Sequence, residues 1–221
     1  MNAGDRRRQL LDAALDLFSR KGYSGITTKE IAAAAGVTEA IIFRHFPNKQ
    51  ALYRAVLDSK TEDCRHEEWL AGIQARMDRN DDAGVLRVLA EAVLESYRVD
   101  ARFERILLFA ALEGHELGLA HHREFALPVF ELFRNYIARR QREGALRGYD
   151  PGLVIAAIAG MAQNYAIYTE FFGFKSLRVD DVEVLDTFTN IMMRGIRQSK
   201  SAGQARRKVP RKTPNKARNR K

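Results

Sequence analysis

The chain predicts an all-α fold, and three observations carry that reading. No stretch sustains the two-residue alternation and β-branched enrichment of a strand. Apolar residues instead recur at spacings of three and four. Short Gly, Pro, Asn or Asp signals divide the pattern, and no internal repeat of solenoid period is present. The spacing predicts helices at about 5–21, 28–35, 39–45, 48–78, 82–98, 101–116, 121–143, 151–173 and 180–197.

The first helix, from Asp5, aligns Leu10, Ala14, Leu17 and Phe18 on one core-facing stripe. Gly22 closes it after the cationic Arg20 and Lys21. Thr27-Thr28-Lys29-Glu30 reads as a capping box that opens the second helix. Ile31, Ala32 and Ala35 face inward there, and the small Ala32 lets two helices cross steeply. Gly36 supplies a tight turn, Val37 plugs the core beneath it, and Thr38 caps a third helix, Glu39 to His45. Ala32, Gly36, Val37 and Ile42 have the spacing of a helix-turn-helix, whose second helix enters the major groove of DNA. Asn48 caps the fourth helix. Lys49 in its first turn opposes the helix dipole unless an anion is shared, and a DNA phosphate is the natural anion.

Pro128 falls inside the seventh helix and is expected to kink or split it. The eighth helix is apolar nearly all round in its first half, with Gly152, Ala156 and Gly160 on a small-residue stripe. The last helix spaces Val182, Leu185, Thr189, Met192 and Ile196 by 3, 4, 3 and 4, the rhythm of a helix–helix seam. These stripes suit packing within one subunit as well as between two.

Charge is unevenly distributed. Residues 1–60 carry 10 Lys/Arg and 6 Asp/Glu (net +4), residues 61–196 carry 16 and 22 (net −6), and residues 197–221 carry 11 and none (net +11). A basic head and tail therefore flank an acidic body, which points to an anionic partner at the ends. The tail has Val209 as its one larger apolar residue and is expected to be disordered. Cys64 is the only cysteine, which excludes an internal disulfide and a cysteine-rich zinc site. The longest apolar run, Gly152 to Ala162, is too short to span a bilayer, and Asp12 and Asp16 interrupt the start of the chain, unlike a secretory signal. A cytoplasmic, reducing setting is the expectation. No glycine-rich nucleotide loop or nucleophile–base pair suggests an enzyme, and no cofactor is expected. His115, Glu116, His121, His122 and Glu124 lack the spacing of a metal motif and read as a solvated loop or helix start.

From Leu10 to Leu57 the chain resembles the DNA-binding domain of the TetR family of transcriptional regulators. The resemblance rests on Ala14, Phe18, Gly22, Thr27-Thr28, Ile31-Ala32, Ala35-Gly36-Val37-Thr38, Phe43-Arg44-His45-Phe46-Pro47-Asn48-Lys49 and Leu52. It covers about a quarter of the chain; the body agrees in length and helix count but has no diagnostic motif. It implies a helix-turn-helix domain at 1–50 and a helical regulatory and dimerisation domain at 51–198, which the basic tail read from composition follows at 199–221. It implies a homodimer on palindromic double-stranded DNA, most simply a repressor released by a small-molecule effector. The alternative is an architectural or partner-regulated DNA-binding factor with no such effector.

Residue by residue, the resemblance puts Thr28 and Lys49 on phosphates and Lys29 on a base edge or phosphate. Thr38 opens the reading helix. Glu39, Ala40 and Arg44 face the groove floor, while Phe43 and His45 approach the backbone. Phe43 departs from the family's usual Tyr and loses that hydroxyl's phosphate contact, which leaves packing as its role. Glu39 suits cytosine N4 and Arg44 suits guanine; Glu39 also complements the helix dipole. The dimer face is expected at Gly152, Ala156, Gly160, Val182, Leu185, Thr189, Met192 and Ile196. Candidates for an effector pocket are Phe103, Phe109, Glu113, Phe130, Gln163, Asn164, Tyr165 and Tyr168. Gln163, Asn164 and Tyr165 either line a cavity or face solvent.

Overall fold

The computed structural model describes residues 3–62 and 66–198. Cys64 and the basic tail from 199 onward lie outside the described residues. Helices α1 (Ala3–Lys21), α2 (Thr28–Ala34), α3 (Glu39–His45) and α4 (Lys49–Glu62) come first. They are followed by α5 (His66–Asp78), α6 (Asp82–Glu113), α7 (Glu116–Arg142), α8 (Pro151–Ala166) and α9 (Asp181–Ile196). A π-helical turn, Ile167–Phe171, continues α8, and a 3-10 turn, Lys175–Leu177, precedes α9. The described residues contain no named strand; Leu146 and Arg197 form one isolated bridge.

Two apolar cores organise these helices. The first gathers Leu10, Ala14 and Phe18 of α1, Ile31 and Ala32 of α2, Ile42 of α3, Leu52 to Leu57 of α4, and Ile106 of α6. The second runs from Ile73 of α5 through α6, α7 and α8 to Ile196 of α9. Burial of each such Leu, Ile or Phe contributes about 1.5–3 kcal/mol. The two cores meet along α6, which packs against α1 as well as against α7, α8 and α9.

Several helix boundaries differ from the sequence reading. The break expected near residue 100 is a non-helical residue within α6: Asp100, at φ −158° and ψ 87°. Its carboxylate accepts from the Arg102 backbone N–H at 3.2 Å and from the Arg102 guanidinium at 2.9 Å, so it caps the second half of the helix from inside. α6 ends at Glu113 because Gly114 adopts a left-handed φ of +63°. α7 then starts at Glu116, five residues before the expected 121. Gly118 permits this: a Cβ there would overlap the Ala110 side chain of α6 and approach the Tyr53 hydroxyl. Pro128 does not split α7, which runs on to Arg142. The expected helix 48–78 appears as α4 and α5, either side of residues 63–65, and their buried residues belong to different cores. No helix of the described residues is long and apolar enough to cross a membrane.

Candidate nucleic-acid interface

The capping box forms as the sequence predicts. The Glu30 N–H donates to Thr27 Oγ1 at 3.2 Å, and the Thr27 N–H donates to Glu30 Oε2 at 2.8 Å. Lys21 pairs with Glu30 Oε1 at 2.9 Å. Its hydrogen bond, with those of Thr27, pushes the Glu30 carboxyl down to about 2. α2 ends at Ala35, and Gly36 turns the chain at φ +64°. The Val37 N–H returns to the Ala32 carbonyl at 2.9 Å, and Gln9 Nε2 of α1 ties down the Ala35 carbonyl at 2.9 Å. The turn is therefore held from both sides.

Beyond this turn, α3 buries Ile42 and turns its remaining residues outward to varying degrees. Ala40, Phe43 and Arg44 are exposed, and Glu39 and His45 are half-buried. Thr38 occupies the cap position, but its side chain makes no cap bond and is exposed. Lys29 is exposed on α2. Phe43 is 46% exposed and contributes little packing, because its position points away from the head core. Thr28 and Glu39 are joined: the Thr28 hydroxyl donates to Glu39 Oε1, linking the start of α2 to the start of α3.

Lys49 takes an unexpected position. Its ammonium donates to the Ile26 carbonyl and lies 4.3 Å from the centroid of the Tyr23 ring. Burial lowers its pKa, against the pull of Glu113 and Glu30. The unfavourable dipole position is relieved here by a carbonyl and an aromatic face within the protein. Asn48 caps α4 as expected, accepting from the Ala51 N–H at 2.7 Å.

The eight pocket candidates are dispersed. Phe103 packs on His121. Phe109 and Glu113 lie against Gly22 at the head–body junction, where Glu113 accepts from the Ser24 N–H at 3.4 Å. Phe130 lies against Gly152. Gln163 and Asn164 are exposed on α8. Tyr165 meets Phe188 edge-on at 6.1 Å, and Tyr168 joins an exposed cluster with Phe172 and Phe174. A cleft of about 350 Å³ between α5 and α7, lined by Gln74, Leu132 and Arg139 among others, includes none of the eight. A second, of about 230 Å³ between α5 and α6 near Trp69, includes none either.

On the expected dimer face, Leu185, Thr189 and Ile196 are buried within their own subunit, and Met192 is half-buried against the same core. Val182 (57%) is exposed, as is Ala156, and Gly160 has open space where a Cβ would stand. Leu153 (70%) is exposed on α8 beside Ala156 and Gly160, and Ile191 (56%) is exposed on the side of α9 opposite Val182; the helical spacing alone missed both. His115 and His121 are not solvated: the second is buried where α7 meets α4 and α6, and the first lies tilted against the Tyr23 ring at 4.1 Å. No grouping of three or more metal-ligating side chains occurs among the described residues.

Comparison with known proteins agrees with this geometry. Residues 10–56 match the family of bacterial regulatory proteins, tetR family. The chain is 33% identical over 154 residues to the HTH-type transcriptional regulator TtgR of Pseudomonas putida. That match covers 70% of this chain and 65% of TtgR, just under two thirds of the relative's length. It is 28% identical over 161 residues to the HTH-type transcriptional regulator RutR of Escherichia coli, covering 73% and 74% of the two chains. Among solved structures, AibR in complex with isovaleryl coenzyme A and operator DNA is 23% identical. It superposes with a TM-score of 0.62, covering 84% of this chain and 97% of that one. A transcriptional regulator from Saccharomonospora viridis in complex with choline is 18% identical, with a TM-score of 0.64 and 89% and 100% coverage. At these identities the structural matches speak for the shared fold.

Proposed function

From the match of residues 10–56 to the tetR family of bacterial regulatory proteins, we propose that the protein is a homodimeric transcriptional regulator of that family. It acts as a repressor that a small molecule releases from a palindromic operator. The observation that carries the reading is α3, a short helix anchored by Ile42 and presenting Ala40, Phe43 and Arg44 outward beside the exposed Thr38. A helix anchored from behind and open in front suits the major groove.

In this reading Arg44 reads guanine, and Glu39 accepts from cytosine N4. The Thr28 hydroxyl has one proton to donate, and Glu39 holds it in the free protein. On DNA, Glu39 turns to the base and Thr28 turns to a phosphate. Lys29 and His45 contact the backbone. Lys49 keeps its cage or exchanges the Ile26 carbonyl for a phosphate.

The outer faces of α8 and α9, with Leu153, Ala156, Gly160 and Ile191, pair across a two-fold axis. The pairing sets two α3 helices about 34–36 Å apart, one turn of DNA. The effector lowers operator affinity by favouring a body state with a different head separation. AibR's complex with both isovaleryl coenzyme A and operator DNA, and the choline complex, support a small-molecule effector. A small-molecule regulator of this kind has no catalytic step and works in the cytoplasm.

The test is selection from a randomised duplex pool by the full chain at near-physiological salt. An enriched inverted repeat whose recovery falls with Arg44→Ala is the expected result. Salt-sensitive binding with no enriched motif would overturn the reading in favour of an architectural factor.

A further inference from the structure

His121 is 1% exposed, and neither nitrogen of its ring has a hydrogen-bond partner. It lies on α7 in the seam with α4, and Nδ1 stands 3.7 Å from Asp58 Oδ1. The Phe103 ring of α6 meets it edge-on at 6.1 Å, and Phe125 covers it at 4.6 Å. Burying an unpaired polar ring costs free energy, so its retention at a joint calls for a role.

The charged groups facing this ring are Asp58 and Arg54 from α4 and Glu124 and His122 from α7; α6 contributes Phe103. Arg54 pairs with Asp58 at 2.9 Å and with Glu124 at 3.5 Å. One guanidinium therefore bridges the two helices, and the neutral imidazole sits beside the bridge. α4 is also the helix that follows α3, carries Lys49 and holds Leu52 in the head core.

We propose that the α4–α7 seam is a proton-responsive joint: a proton taken from solvent onto His121 draws Asp58 from Arg54 to the imidazolium and shifts the helix that carries the head. Hydrogen ion is then a second input beside the small molecule. The proposal rests on the operator-binding reading, but its first readout does not. Burial lowers the His121 pKa from its ordinary 6.5. A histidine held neutral in this way supports the described arrangement above pH 6.5. That support is lost as pH falls from 6.5 towards the folded value, because the unfolded or shifted state takes the proton first. Two states whose imidazole pKa values differ by one unit differ about tenfold in their response to the proton.

The experiment uses the full chain as wild type, His121→Phe, His121→Gln and Asp58→Asn, from pH 8 to pH 5. Denaturant unfolding followed by the single tryptophan, Trp69, gives the stability difference between wild type and variant at each pH. Affinity for the selected operator is measured at the same pH values. The other histidines are common to all four proteins, so the difference curves belong to His121. The expected result is a fall in wild-type operator affinity of about fivefold per His121 between pH 7.5 and 5.5 for a one-unit difference between the two states, largely abolished in His121→Phe and His121→Gln. Asp58→Asn should blunt it. The stability difference should bend below pH 6.5 with the same sign. Parallel curves for wild type and both His121 variants would overturn the proposal. If one variant fails to fold, the other decides. If no operator is bound at any pH, the function reading falls and the stability difference alone judges the joint.

Discussion

Thr28 and Glu39 concentrate the chemistry of the head in one hydrogen bond. A hydrogen bond to a charged group contributes about 1.5–3 kcal/mol. On DNA the Thr28 hydroxyl exchanges Glu39 for a phosphate, so Thr28→Val loses a hydrogen bond in both states. It should weaken binding to the selected operator by less than the roughly tenfold or more that one such bond is worth, and Thr28→Ser should restore it. Fluorescence anisotropy on the duplex measures both, and equal losses in the two variants would defeat the assignment. Glu30 gives a pH signature at the same scale. Its pKa is lowered from 4.5 to about 2, so its contribution to stability is complete above 4.5 and disappears as pH falls from 4.5 to about 2. Glu30→Gln should flatten that part of the acid-unfolding curve, as circular dichroism at constant salt would record. The capping box was legible in the sequence because its partners lie three residues apart. The inward turn of Lys49 was not: the dipole argument covers its own helix turn, whereas Tyr23 and the Ile26 carbonyl come from a distant loop.

Among the elements, α7 and α9 mark the limit of reading by periodicity. The spacing of α9 correctly located an apolar stripe, but Leu185, Thr189 and Ile196 meet their own core. Periodicity names a buried face and does not identify the neighbour that buries it. The start of α7 was missed because Gly118 reads as a helix breaker. In the fold it allows a close crossing with Ala110 of α6, beneath Tyr53. That crossing packs against Tyr53 of the head core, so Gly118→Val should be costly. Overpacking of a tight site costs typically 1–3 kcal/mol. A loss of this size in urea unfolding is expected, and an unchanged midpoint would mean that α6 and α7 separate easily here. His115 and His121 were misread for a related reason: their burial comes from Tyr23 and Tyr53 on one side and from α4 and α6 on the other.

For the whole molecule, the decisive question is whether two heads are held at one separation, and Gly160 isolates it. A Cβ at Gly160 meets nothing within 4 Å in its own subunit. A leucine there has room in the monomer, and replacing glycine inside a helix gains up to about 0.8–1 kcal/mol of helix propensity. Gly160→Leu should therefore leave the subunit as stable as before or slightly more so. In a dimer built on the outer faces of α8 and α9, the same side chain stands where a second helix must approach closely. The expected outcome is a folded, thermally stable monomer by light scattering. It should lose selective operator binding, because one α3 helix reads too few base pairs. A variant that stays dimeric would move the interface elsewhere, and the exposed Leu153 and Ile191 would then need another partner. A variant that is monomeric yet still selects the inverted repeat would show that DNA itself pairs the heads, and effector control through the body would lose its mechanical basis.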